Sequence, residues 1–208
     1  MLSPLVRECK KLEEEIALAE DLKFKLMRIR NVHERRLAVP GSDVASLIDG
    51  LAGADDRLWP HDKWPSMRFD RPLEVGAIGG HGPVRYRVSE YTPGQRIAFQ
   101  FRKNEGLTRG FDGGHCFEVE ERGGQSVLRH VVEADSPLPA YLRWLFLVGP
   151  LHDALLEDAL DRAVIATGGQ LAEPSAWSPW VKLLRGIAGA KSRKERQQTK
   201  GSGTLNRQ

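Results

Sequence analysis

Apolar positions change period along the chain. Leu5, Cys9, Leu12, Ile16 and Ala19 recur at spacings of four and three, and Ser3-Pro4 supplies an N-cap and a first-turn proline. This predicts an amphipathic helix over residues 4–27. Residues 31–39, NVHERRLAV, read as a first strand that Pro40-Gly41 ends. Ser42 or Asp43 would then cap a short helix over 43–52, with Val44, Leu47, Ile48 and Leu51 on one face, and ADDRLW a further helical turn. WPHDKWPSMRFDRP is a connector, because its three prolines break regular structure, while Trp59, Trp64, Met67 and Phe69 can anchor it to a core.

From residue 73 the period falls to two. Leu73, Val75 and Ala77 share a face, as do Val84, Tyr86 and Val88, with Arg85 and Arg87 opposite. Thr92-Pro93-Gly94 is a turn, after which Ile97, Phe99 and Phe101 alternate with polar or small residues. HCFEVEE and VLRHVVEA add two more alternating strands, so the stretch predicts an antiparallel meander with one apolar face. Such a face needs a cover, and a long helix over 140–167, kinked or split at Pro150, is the candidate. After a linker over 170–179, Trp180, Leu183, Leu184 and Ile187 can share one face of a basic segment, and a polar tail follows.

The 208 residues suit one core with appendages: residues 1–29 as an N-terminal helix, 30–168 as the main domain and 169–208 as linker, basic segment and tail. Net charge is +3, but residues 185–208 carry seven Lys/Arg and one Glu, so the remaining residues net -3. The basic character is that of the tail, which argues against a specific nucleic-acid surface on the domain. No apolar run is long enough to span a bilayer, and the charged N-terminus does not read as a signal peptide; a cytoplasmic location is expected. Cys9 and Cys116 match no paired motif and are expected as reduced thiols.

The order of strand, two short helices, curved antiparallel meander and long C-terminal helix resembles the START-like helix-grip superfamily, also called SRPBCC or the polyketide cyclase/dehydrase and lipid transport group. The likeness covers residues 30–168; GFDGGHCFEVEERGGQSVLRHVVEA resembles the later strands and PLHDALLEDALDRA the closing helix. It implies an α+β fold, a curved antiparallel sheet around a long helix, with an added N-terminal helix. Its members include lipid carriers, cyclases, chaperone activators and oxygenase domains, so the likeness alone does not separate enzyme from binder.

Glycines at 76, 79, 80, 82, 110, 113 and 114 permit the bends a concave sheet needs. In register, His115 joins Phe117, and His130 joins Leu128 and Val132, on the apolar side, where a buried imidazole needs a partner. Candidate ligand contacts are His81, Tyr86, Phe99, His115, Phe117, His130, His152 and Leu156. Asp112 is a turn cap or a partner for His81 or His115; Asp153, Glu157 and Asp161 form an i,i+4 series expected to face solvent, and Asp158 with Arg162 a surface ion pair. No HExxH, GxGxxG, GxSxG or calcium-loop pattern occurs, so neither metal nor cofactor is expected. The leading expectation is binding or transport of a small hydrophobic or aromatic ligand. A cyclase- or dehydratase-like enzyme using a cavity histidine is the alternative, and a protein-interaction module the third. The partner expectations are that small molecule, a peripheral membrane or protein contact through the basic segment, and a monomer or homodimer.

Overall fold

The computed structural model describes residues 26–188. The expected N-terminal helix and the polar tail lie outside them. The described chain begins with β1 (Met27–Leu37), so Met27–Ile29 belong to a strand. There follow α1 (Gly41–Asp49), β2 (Met67–Phe69), β3 (Ile78–His81), β4 (Val84–Thr92), β5 (Arg96–Phe101), β6 (Asp112–Arg122) and β7 (Gln125–Ser136). All seven strands form one open antiparallel sheet in the order β1-β7-β6-β5-β4-β3-β2. The chain then turns into α2 (Leu138–Arg143), a π-helical turn (Trp144–Val148) and α3 (Gly149–Ala166), while residues 179–188 form a last helical segment.

The meander follows the alternation. Tyr86, Val88, Ile97, Phe99, Phe117, Leu128 and Val132 are all buried, and Gln95 N–H closes the expected turn on the Thr92 carbonyl with Gly94 at φ 72°. Curvature draws on glycine where strands come closest. At Gly113 (φ +151°) an added Cβ would stand 2.1 Å from the Glu133 carbonyl of β7.

Several local expectations change. Residues 73–77 are not a strand: Gly76 sits at φ 95° in a turn, Val75 is exposed, and pairing starts only at Ile78. The connector contains β2, too short for periodicity to reveal. ADDRLW is not helical, because Asp56 accepts the N–H groups of Ala52, Leu58 and Trp59 and holds a turn. Neither Ser42 nor Asp43 caps α1; Glu121 of β6 accepts from Gly41 N–H instead. Pro150 does not break the long helix, which runs on from Leu138 to Ala166 with a π-helical turn at Trp144–Val148 just before the proline. It offers no N–H to the Phe146 carbonyl four residues back, and Trp180 Nε1 donates to that oxygen at 2.9 Å.

Asp158 and Arg162 are not a surface pair. Asp158 is buried and accepts from Lys63 Nζ (2.6 Å), Trp64 Nε1 (2.7 Å) and Trp177 Nε1 (2.8 Å), while Arg162 pairs with Asp62. Arg185 lies 4.2 Å over both indoles, so the connector and the C-terminal segment are pinned to α3 together. The expected face of that segment points outward: Trp180, Leu183 and Ile187 are exposed, and Val181 is the residue that packs. Among the described residues no helix is long and apolar enough to cross a membrane.

Candidate functional site

The interior between sheet and α3 divides into two apolar clusters. One holds Tyr86, Phe99, Phe117, Leu128 and Leu156; the other holds Ile29, Phe101, Phe111, Val132 and Trp144. A row of polar rings runs between them. Register places it: Phe99 pairs with His115, Phe117 with His130, and His130 with His33, and paired residues share a face.

Along the row, His81 packs on Trp59 (centroids 4.7 Å) and near Tyr86 (6.0 Å). Tyr86 meets His115 edge-on at 4.9 Å, His115 stacks on Phe99 at 4.8 Å, and Phe117 meets His130 at 4.5 Å. His115 Nδ1 and His130 Nε2 lie 3.0 Å apart and share one proton, so the tautomer of one ring fixes that of the other. His130 is 5.0 Å from His152, which in turn packs against Trp144 and His33. The structure thus brings seven of the eight sequence candidates into one series of ring contacts, and buries Leu156 beside it in the larger cluster. Asp112 is not part of the row; it is exposed and pairs with Lys103.

The row is not self-sufficient. Among the described residues, Tyr86 Oη, His130 Nδ1 and His152 Nδ1 are buried without a hydrogen-bond partner. Such atoms cost about 1–3 kcal/mol each when left unpaired, so three in one row mark a place where something else completes the bonding. Burial, reinforced by His152 and His81, pulls the His115 imidazole well below its ordinary pKa, and burial with His152, His115, His33 and His81 does the same to His130. His81 is pushed down to about 3, chiefly by burial, whereas burial pushes the Tyr86 phenol up. Near neutrality the row therefore holds uncharged imidazoles with a free lone pair and a phenol that keeps its proton.

Beside the row, β1 and α3 form a polar ladder that corrects the sequence reading of Asp153, Glu157 and Asp161 as a solvated face. Asn31 Nδ2 donates to Asp153 Oδ1 (3.0 Å). His33 reaches Asp153 through Nε2 (3.1 Å) and Glu157 through Nδ1 (2.8 Å). Arg35 donates to Glu157 (2.8 Å) and Asp161 (2.9 Å). The match is one of periods: two strand residues advance about 6.8 Å and four helical residues about 6 Å, so Asn31, His33 and Arg35 keep step with the carboxylates. Burial lowers His33, but hydrogen bonds and charge from Asp153 and Glu157 outweigh it, and its pKa is raised. Burial opposes ionisation of Asp153, yet His152 and His33 hold it well below the usual carboxylate range. His152 Nδ1 is 3.8 Å from Asp153 Oδ1, too long for a hydrogen bond, and burial lowers its pKa. Sequence reasoning missed His33. The available signal was the alternation of Asn31, His33 and Arg35 against the i,i+4 acids.

A separate open cleft of about 330 Å³ is lined by Gly41, Ser42, Ala45, Pro93, Gly94, Gln95, Val119 and Glu121. It contains none of the candidates, and Glu121 is occupied in capping α1.

No family model and no curated protein matches the sequence. Solved structures do match. Norcoclaurine synthase of Thalictrum flavum, as a point mutant with a transition-state analogue, superposes on 70% of this chain and 99% of its own with a TM-score of 0.53 and 17% identity. The same enzyme with dopamine and hydroxybenzaldehyde matches 70% of this chain and 91% of its own, with a TM-score of 0.52 and 18% identity. The chain has the helix-grip fold. At this identity the likeness is one of backbone, and the chemistry of the helix-grip interior rests on the side chains of this chain.

Proposed function

We propose that the protein is an acid–base enzyme acting on a small, partly aromatic carbonyl compound held between sheet and helix, by a cyclisation or dehydration that passes through an enol. The carrying observation is the proton shared by His115 and His130 at 3.0 Å, beside a buried Tyr86 hydroxyl and a His130 Nδ1 that lack partners among the described residues. Tyr86 O–H donates to the substrate carbonyl and to the enolate oxygen formed from it. His130 Nδ1, uncharged, removes the α-proton. Its Nε2 proton then passes to His115 Nδ1, and His115 Nε2 gives up its own proton to a departing hydroxyl, which leaves as water. Both imidazoles end neutral with their tautomers exchanged, so no charge stays in the apolar interior. The two apolar clusters contribute area-dependent affinity for the rest of the substrate.

Carriage of a hydrophobic or aromatic ligand is the second reading, favoured by the apolar walls on both sides of the row. Both readings go with a cytoplasmic monomer or homodimer, in which the outward face of Trp180, Leu183 and Ile187 and the basic sequence after it make a membrane or protein contact.

Phenylacetone, an enolisable aryl ketone, tests the choice. Its α-proton signal in deuterated water is followed by NMR with the full chain. The enzyme reading expects faster exchange with wild type, and a loss of about 10²–10⁴-fold in His130→Gln. Saturable binding of the ketone with no difference in exchange between the two proteins would assign carriage instead.

A further inference from the structure

At the far end of the row, the geometry points to a binding site for one divalent metal ion of the zinc class, held by His33 Nε2, His152 Nδ1 and Asp153. One ligand atom from each of these residues falls within 4.8 Å of the others. His33 Nε2 is 3.1 Å and His152 Nδ1 3.8 Å from Asp153 Oδ1. Tetrahedral zinc with bonds of about 2.0–2.1 Å places its ligand atoms about 3.3 Å apart, and the two separations to Asp153 Oδ1, 3.1 and 3.8 Å, lie on either side of that value.

Three further observations fit this reading. His152 Nδ1 is buried without a partner among the described residues, and a metal would use that lone pair. His33 Nδ1 faces Glu157 Oε1 at 2.8 Å, with Arg35 fixing the other Glu157 oxygen. A ligating histidine needs that arrangement, in which its second nitrogen donates to an immobilised carboxylate and its first keeps a lone pair for the ion. The Asn31 side-chain oxygen is also buried without a partner among the described residues, on the amide that touches Asp153, and a turn of that amide would offer it to the ion or its water. Charge favours a cation, since the ladder sets three carboxylates against the single guanidinium of Arg35. Two histidines, one carboxylate and one open position suit zinc or cobalt rather than calcium or magnesium.

The site does not depend on the proton-transfer reading, and its test reads metal uptake, not turnover. The full chain, freed of metal by chelation, is titrated with zinc chloride by calorimetry, and cobalt absorption reports the coordination geometry. One equivalent of zinc is expected to bind, with proton release and a raised Tm. His152→Phe, which keeps a ring against Trp144, is expected to lose more than about 100-fold in affinity, and Glu157→Gln about 10–100-fold. His61→Ala, an exposed imidazole away from the ladder, should bind as wild type does. Absence of zinc uptake by wild type would overturn the site and leave His33 as an imidazolium bridging two carboxylates. Undiminished uptake by a folded His152→Phe protein would overturn it as well. Neither result would alter ketone exchange at His130.

Discussion

Asp158 and the row of rings from Tyr86 to His152 are both polar, both buried and both touch the long C-terminal helix. Asp158 meets three donors from three places in the chain: Lys63, Trp64 and Trp177. The row keeps three atoms without partners among the described residues: Tyr86 Oη, His130 Nδ1 and His152 Nδ1. A saturated buried group ties elements together, and its full bonding leaves nothing to offer a ligand. An unsaturated row has hydrogen-bonding capacity left over, which a ligand or a water can complete. Burial of a polar residue is thus weaker testimony of function than the state of its bonding.

Four measurements separate a saturated anchor from an unsaturated row. Among the substitutions, the largest effect is expected at the saturated group. Asp158→Ala leaves two indole N–H groups and a lysine without their acceptor and should cost about 3–5 kcal/mol, read as a fall in the denaturation midpoint and in Tm. A loss under about 1 kcal/mol would mean the anchor is not structural.

Acid should act next, through the row. His81, His115 and His130 all take up protons in the unfolded chain near the ordinary value of 6.5, but resist them when folded, His81 down to about 3. Below that ordinary value the unfolded state binds more protons, so stability that is fully present above pH 6.5 is lost as pH falls toward 3. The slope should approach about 1.4 kcal/mol per pH unit for each histidine. His33 works in the opposite sense: its contribution is complete below pH 6.5 and fades as pH rises through its raised value. Denaturant midpoints collected against pH give the net slope; a flat profile between pH 6 and 4 would contradict the buried, neutral row.

His130→Phe removes one unpaired nitrogen and keeps a planar ring beside Phe117, but it also takes the partner from His115 Nδ1, so stability should fall by about 1–3 kcal/mol. A cost equal to that of Asp158→Ala would make the row a structural network. The smallest effect belongs to the exposed pairs of Glu133 with Arg28 and Arg30. Glu133→Gln should change stability by no more than about 0.5 kcal/mol, and that only at low salt.

The sequence by itself determined the meander, its inward face and the covering helix. Period-two alternation from Val84 to Val132 and the apolar stripe after Pro150 are local patterns whose meaning does not depend on what they meet. The same alternation turned His115 and His130 inward before any partner was known. Tertiary structure alone decided how the acidic residues of α3 are used. Asp153, Glu157 and Asp161 read as a solvated face because charge at i,i+4 is what a solvated face looks like; only the pairing of β1 with β7 sets Asn31, His33 and Arg35 opposite them. Asp158 gained its donors from residues more than ninety positions upstream and nineteen downstream. Period reports which side of an element a residue occupies, whereas charge is neutralised by whatever lies across space. That neighbour is fixed by register and packing, which no window along the chain contains.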